Sequence, residues 1–304
     1  MAGGGMRVIK RRIKSVNSTK QITKAMEMVA SSKLRKGRER MELYRPYFSI
    51  VSGIVNDLLG QSTTKNIYVE GSRDIKKTLY IVVAGDKGLC GGFNSNTIKM
   101  FTSIEEKNGS QSQIMPIGIK SVDYFTKRDY DVKKAYPGIA ETITYQAAKE
   151  IADEIRSMYE SGEVDEIYMV YTQFVTVLSQ QVKKARLLPM SAHEVAENLK
   201  KLSEDSESVV GGEENTEIKE ITQYSPDPEE FFNLFVPQYI ESMLYGGLVE
   251  SYASEQSARK MAMENATDNA NEMIEQLTLF YNRARQAAIT SEIIEIVSGA
   301  DALQ

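Results

Sequence analysis

The amino-acid sequence predicts an α/β domain carried between two long terminal helices, which pair as an antiparallel coiled coil. Apolar residues recur at helical spacing from about Met6 into the 50s and again from about Gln238 to Ala302. Between them, short β-branched runs alternate with helical segments. At ~1.5 Å per residue the second helix alone reaches roughly 90 Å. This helix is far longer than the average helix of about 11–12 residues. A helix of that length needs a partner along it, and the other end of the chain supplies one.

Polar residues interrupt the apolar stripe of each terminal helix. Lys20 and Thr23 leave gaps in the first stripe, while Glu255 and Arg259 intrude on the second. One interpretation is a self-contained coiled coil that tolerates a few polar positions, and the other is a coiled coil whose sides face further proteins. The stripe positions are Ile9, Ile13, Val16, Ile22, Met26, Val29 and Leu34, then Leu248, Tyr252, Ala262, Ala266, Met273, Leu277, Phe280, Ala284 and Ala288.

The middle of the chain predicts a Rossmann-like α/β domain with a largely parallel sheet, because strands and helices alternate there. Asn94 or Ser95 is a plausible cap for the first internal helix. The predicted elements are strands over 78–84, 113–119, 166–177 and 181–188, with helices over 94–106 and 145–159. The predicted organisation is an N-terminal coiled-coil helix over 1–60, the α/β domain over 75–195, an acidic loop and linker over 196–230, and a C-terminal coiled-coil helix over 231–304.

Charge is distributed unevenly along the chain. The net charge is -5, yet the stretch from Arg7 to Arg40 contains twelve basic residues and only two acidic ones, Glu27 and Glu39. This cluster predicts an acidic partner surface. No nucleic-acid partner is expected, because the stretch has neither a binding motif nor interleaved aromatic residues. The single cysteine, Cys90, excludes an internal disulfide and fits a reducing compartment.

The glycine-rich loop over 85–92 (GDKGLCGG) follows a strand and precedes a helix, as a phosphate-binding loop would. It lacks GxxxxGK[ST], because Cys90 and Gly91 stand where Gly and Lys should follow, and it lacks GxGxxG. A tight structural turn is therefore predicted, with no cofactor. Cys90 is interpreted as a packing residue. His193 is interpreted as solvated, and no metal site is expected.

Four segments match a known family in the same order. They are residues 11–35 (RRIKSVNSTKQITKAMEMVASSKLR), 85–96 (GDKGLCGGFNSN), 253–268 (ASEQSARKMAMENATD) and 281–302 (YNRARQAAITSEIIEIVSGADA). On these segments the chain resembles the gamma subunit of the F-type rotary ATP synthase, of the bacterial type. The resemblance covers nearly the whole chain.

The resemblance implies a central shaft, present once per complex, inside a ring of alternating alpha and beta subunits. The α/β domain would be the foot, bound to the epsilon subunit and seated on the membrane c-ring. Tyr224 lies where the family's foot approaches that ring. The protein would be peripheral, on the cytoplasmic side of the cell membrane, and non-catalytic by itself. The alternatives are a non-rotary coiled-coil adaptor or scaffold and an α/β nucleotide-binding enzyme.

The resemblance also implies contacts with the beta subunit. Arg285 and Gln286 match residues that bond to a catch loop of beta, and Thr290 matches a neighbouring contact. Lys24 and Met26 match the point where the shaft meets an acidic lever segment of beta. Without the resemblance, Arg285 would be interpreted as a solvated surface arginine.

Overall fold

The computed structural model describes residues 2–61, 66–69, 75–108, 111–196 and 228–301. Across these ranges no helix is both long enough and apolar enough to cross a bilayer. The main elements in chain order are α1 (Ala2–Gln61), β1 (Lys77–Val83), α2 (Phe93–Asn108), β2 (Gln111–Ile117), α3 (Ile119–Thr126), α4 (Tyr145–Glu160), β3 (Glu166–Phe174), β4 (Gln180–Leu188) and α5 (Pro228–Asp301).

The chain forms two compact units, and α1 and α5 each contribute to both. The helical unit comprises residues 1–32 and 259–304, and the α/β unit comprises residues 33–258. The two long terminal helices and the central α/β domain confirm the predicted fold class.

The sheet of the α/β unit has four strands in the order β2-β1-β3-β4. Strand β1 runs parallel to both β2 and β3, but β4 runs antiparallel to β3. The sheet is therefore mixed and less parallel than the sequence predicted. The reason is the short 175–179 turn, since a parallel pair needs a crossover of about a dozen residues or more.

Side chains of β1 alternate between two cores, as the two-residue period of a strand requires. Leu79, Ile81 and Val83 pack in a core that also contains residues of α1, α4 and α5. Tyr80 and Val82 face the other side of the sheet and pack in a core with α2 and α3. The sheet thus separates the terminal helices from α2 and α3.

Within the α/β unit, α1 and α5 pack closely and run antiparallel. A Cβ on Gly37 would lie 3.3 Å from Cδ1 of Tyr252, and one on Gly246 would lie 3.2 Å from Cε1 of Tyr44. Helix α5 begins at Pro228, earlier than predicted, and continues through Pro237. A proline inside a helix costs about 3 kcal/mol. Burial of the adjacent Val236 offsets part of this cost.

In the helical unit the predicted stripe is only partly correct: Ala288 is buried and Ile13, Val16 and Leu277 are half-buried, as predicted. Ile22, Val29, Met273 and Phe280 are exposed, so their assignment to the stripe was wrong. The buried positions in the described part of this unit are Thr23 and Ala30 on α1, seven residues apart, and Arg259, Met263, Thr267, Ala270 and Ala288 on α5. Most of them are small or polar, while large apolar side chains such as Ile22 remain at the surface.

Candidate partner-binding surfaces

The loop over 85–92 is a turn organised by Asp86, a role that the sequence did not predict. Its Oδ1 accepts hydrogen bonds from the backbone N–H groups of Ile119 and Gly138, each at 2.9 Å, and its Oδ2 accepts one from Glu141 at 3.0 Å. A carboxylate that takes backbone donors from three separate positions fixes the loop against its neighbours. The only signal in the sequence was an acidic residue inside a glycine-rich turn.

Asn94 and Cys90 brace the same loop from inside. Oδ1 of Asn94 accepts a hydrogen bond from the N–H of Gly85 at 2.8 Å, and its Nδ2 lies 3.2 Å from Sγ of Cys90. Helix α2 begins at Phe93, before Asn94, so Asn94 braces the loop instead of capping the helix as predicted. Cys90 is buried, in agreement with its interpretation as a packing residue, and His193 is exposed.

The carboxyl group of Glu255 of α5 lies against Gly85, at the start of the loop. A Cβ on Gly85 would lie 2.7 Å from Cδ of Glu255 and 2.8 Å from its Oε1, so a larger residue would require the Glu255 side chain to move. Glu255 is buried. This loop thus carries a carboxyl group beside its first glycine, whereas nucleotide-binding loops present backbone N–H groups to a phosphate.

Glu141 ties this loop to α1. Its carboxylate accepts a hydrogen bond from Nζ of Lys87, in the loop, at 2.6 Å and another from Nζ of Lys33, in α1. Those two bonds lower the pKa of the Glu141 carboxyl from 4.5 to about 2, although partial burial acts in the opposite direction. The sequence did not single out Glu141, because its partners lie 54 and 108 residues away.

Glu141→Gln is expected to destabilise the chain by about 1 kcal/mol at neutral pH. The lowered pKa of Glu141 alone would correspond to roughly 3 kcal/mol, at about 1.4 kcal/mol per pKa unit. Because solvent screens the partly exposed bridge, the expected effect is smaller. Because the folded pKa is depressed, the contribution is complete above about pH 4.5 and is lost as pH falls through about 2. Urea unfolding of both proteins between pH 7 and pH 2 measures this difference.

The control for that experiment is Glu163→Gln, which changes an exposed glutamate elsewhere in the same unit. It should unfold like the wild type at every pH. A stability difference between Glu141→Gln and wild type that stays constant, or grows, as pH falls would contradict the bridge.

The first predicted beta contact lies on α1. Lys24 is exposed, with its Nζ 3.0 Å from Oε1 of Glu27, and Met26 is half-buried. Beside them the hydroxyl oxygens of Thr23 and Thr267 lie 2.8 Å apart in a buried hydrogen bond. The threonine pair satisfies two polar groups inside the coiled coil, which explains the gap in the stripe at this point.

The second predicted contact lies on α5. Arg285, Gln286 and Thr290 are exposed, and Oγ1 of Thr290 donates to the backbone carbonyl of Gln286 at 2.9 Å. Because Thr267 pairs with Thr23, Arg285 lies about 27 Å further along α5 at ~1.5 Å per residue. The structure therefore keeps the two predicted contacts apart as separate surfaces. Tyr224 lies outside the described residues.

The last turns of α5 carry an unusually exposed apolar surface. Ile296 is 72% exposed and Val297 is 54% exposed. A cluster of large apolar side chains in water is typical of a surface that another protein covers. The other exposed members are Ile289, Ile293 and Ile294.

Comparison with known proteins identifies chains that are similar over nearly their whole length. A family model described as ATP synthase matches residues 5–303. The ATP synthase gamma chain of Alkaliphilus metalliredigens is 46% identical over 99% of this chain and 100% of that relative. The sodium-ion-specific ATP synthase gamma chain of Acetobacterium woodii is 45% identical over 97% of each.

Solved structures show the same fold. A chain of the central stalk and c-ring structure of the Tetrahymena thermophila mitochondrial ATP synthase aligns with a TM-score of 0.60 at 28% identity, covering 81% of this chain and 99% of that one. A chain of the Euglena gracilis mitochondrial ATP synthase aligns with a TM-score of 0.68 at 20% identity, covering 99% and 95%. The second match, at its low identity, indicates the fold alone.

Proposed function

The chain belongs to the ATP synthase gamma chain family, and on this premise we propose that it is the central rotor shaft of an F-type ATP synthase. The observation that carries the proposal is the family match over residues 5–303, with relatives 46% and 45% identical along nearly the whole chain. The shaft would couple ion flow through the membrane ring to ATP synthesis or hydrolysis in the alpha and beta subunits by rotation.

A shaft can perform this task without catalytic residues of its own. A single asymmetric shaft can contact three equivalent catalytic sites in only one way at a time, so it makes them unequal. Turning the shaft changes the conformation that is favoured at each catalytic site. Energy is transferred as the difference in contact free energy between shaft and site conformations, which any such coupling requires.

The exposed surfaces of the helical unit support the proposed contacts with beta. Lys24 would meet an acidic lever segment, because its ammonium is exposed and lies in the basic stretch of α1. Arg285 and Gln286 would hold a polar catch loop, since a guanidinium offers five donors and an amide adds two donors and an acceptor. The apolar last turns of α5 would rotate inside an apolar sleeve, where few directional bonds have to break.

The α/β unit would be the foot of the rotor. It would bind the epsilon subunit and rest on the c-ring, with one copy of the chain in each complex. This arrangement would make the protein peripheral to the membrane, on the cytoplasmic side. The carboxyl group of Glu255 against Gly85 supports a non-catalytic foot, because phosphate-binding loops present backbone N–H groups and not an acidic side chain.

Reconstitution with alpha and beta subunits tests the proposal. Complexes that contain the chain should hydrolyse ATP with rotation of a probe attached to the foot, and alpha and beta alone should not sustain this activity. The isolated chain should neither hydrolyse ATP nor bind it at micromolar concentration by calorimetry. Turnover that is independent of the chain would leave a non-rotary adaptor, and micromolar ATP affinity would indicate a nucleotide-binding protein.

Reversal of two basic residues should weaken the coupling between ion pumping and ATP hydrolysis in the assembled complex. Lys24→Glu with Arg35→Glu removes exposed cations from α1 and places anions opposite the proposed acidic lever. The coupling ratio, measured as ions pumped per ATP hydrolysed, should fall, and the fall should be largest at low salt because exposed charges are screened. Lys76→Glu with Lys149→Glu makes the same change in net charge on the α/β unit and should leave the ratio intact. Equal coupling in both double variants would contradict the electrostatic contact.

A further inference from the structure

A groove lies between α2 and α3, across the sheet from the terminal helices. Phe101 of α2 and Phe125 of α3 pack on the sheet face that carries Tyr80 and Val82. Residues of α1 and α5 pack in the core on the opposite face. The groove has a volume of about 490 Å³ and is open to solvent. The groove lies in the α/β unit, whereas Lys24 and Arg285 belong to the helical unit.

The walls of the groove are strongly basic. Lys99 comes from α2, and Lys120, Lys127 and Arg128 come from α3 and the residue pair that follows it, while Asp123 is the single carboxylate among the lining residues. Within the described part of the chain, none of these four cations forms an ion pair. The chain as a whole carries a net charge of -5, so the positive charge of the groove is opposite in sign to that of the whole protein. Such a concentration of one charge attracts an anionic ligand.

One of the four cations is held in place. The guanidinium of Arg128 lies 3.8 Å from the centroid of the Tyr124 ring, and its Nη1 donates to the Tyr124 carbonyl at 3.4 Å. A guanidinium stacked in this way retains further donors for a carboxylate or phosphate. Ile98, which is buried, adds an apolar surface to the groove.

We propose that the groove binds an acidic segment of another polypeptide, one that carries several carboxylates close together. A single exposed ion pair contributes only about 0–1 kcal/mol, so a small anion would bind weakly in a groove this open. Carboxylates on one chain bind together, because the first contact raises the effective concentration of the others. The methylene groups of glutamate side chains can pack on Ile98 and Tyr124 while their carboxylates reach the lysines.

The test measures binding of a fluorescein-labelled peptide of eight glutamates to the isolated full-length chain, by fluorescence anisotropy at low salt. Lys99→Glu with Lys127→Glu should weaken binding by about tenfold or more, since each reversal replaces an attraction by a repulsion. Lys76→Glu with Lys149→Glu is the matched control, because it changes the net charge equally outside the groove. The control should weaken binding by less than about twofold, a change that reflects net charge alone.

Equal weakening in both double variants would overturn the proposal, as would absence of peptide binding to the wild type. Displacement of the peptide by micromolar ATP would also overturn it, because the groove would then be a polyphosphate site. Helicity by circular dichroism checks the fold, and Lys99→Gln with Lys127→Gln repeats the test without introducing new repulsion. The isolated chain is used throughout, so the result is independent of the rotary function.

Discussion

Gly118→Ala is expected to lower the free energy of unfolding by about 3 kcal/mol or more. Gly118 has φ 89° and ψ 144°, a conformation almost confined to glycine. A Cβ there would lie 2.0 Å from the carbonyl oxygen of Ala84 and 2.8 Å from its carbonyl carbon. Both contacts are with backbone atoms, so no side-chain rotation can relieve them.

The backbone around Gly118 cannot easily move away. The N–H of Ala84 donates to the carbonyl of Ile117 at 2.9 Å, and the N–H of Gly118 donates to the carbonyl of Tyr136, also at 2.9 Å. These bonds join the ends of β1 and β2 to the segment that follows α3. A displacement that made room for the methyl group would break hydrogen bonds in the centre of the α/β unit.

Urea unfolding of the isolated chain measures the effect, with Gly138→Ala as the control. Gly138 also has a positive φ, 79°, but a Cβ there would meet nothing within 4 Å. Gly138→Ala therefore isolates the backbone strain and should cost about 1 kcal/mol. If the two variants unfold at the same urea concentration, the close contact with Ala84 is relieved at little cost and the argument fails.

The four strands and the helices α1, α2, α4 and α5 could be predicted because each of them follows from a local period, whereas the eight-residue α3 was not predicted. The 16-residue helix α4, Tyr145–Glu160, was predicted within one residue because its apolar positions form a single stripe. Strand direction is not a local property, and β4 shows this. Its sequence marks a strand, but only the length of the 175–179 turn indicates that it runs antiparallel to β3.

The pairing of the terminal helices was predicted, but individual side-chain contacts between distant residues were not. Thr23 and Thr267 are 244 residues apart, and a threonine in a helix gives no sign of its partner. As a result some buried positions in the helical unit were predicted wrongly, because apolar residues such as Ile22 were preferred to the polar residue beside them. Tertiary pairing decided which face of each helix is buried.

The predicted beta contacts depend on the resemblance and not on local chemistry. Arg285 and Gln286 are exposed, and nothing around them in the isolated chain marks them as a site. A binding surface that is completed only by a partner has this appearance, since its donors are solvated until the partner arrives. Their role therefore remains a prediction, and an assay on the assembled complex has to decide it.

Arg285→Ala is expected to reduce steady-state ATP hydrolysis by the assembled complex by about tenfold or more. Hydrogen bonds to charged groups contribute roughly 1.5–3 kcal/mol each. If the slowest step of hydrolysis loses about 1.4 kcal/mol of stabilisation at one orientation of the shaft, turnover slows about tenfold. Arg285→Lys should restore only part of the rate, because an ammonium cannot reproduce the planar fork of donors. The isolated variant should keep its helicity, since the side chain is exposed.

Arg283→Ala is the matched control, because Arg283 is also an exposed arginine on the same turn of α5. Ala284 lies between them and is half-buried. At about 100° per residue Arg283 and Arg285 flank it on opposite sides of the helix. If Arg285 makes the contact with beta, Arg283→Ala should reduce turnover much less than Arg285→Ala.

Turnover is compared in purified complexes of equal subunit stoichiometry. Wild-type rates in Arg285→Ala, or equal losses in both variants, would make Arg285 an ordinary solvated residue and remove the proposed catch-loop contact.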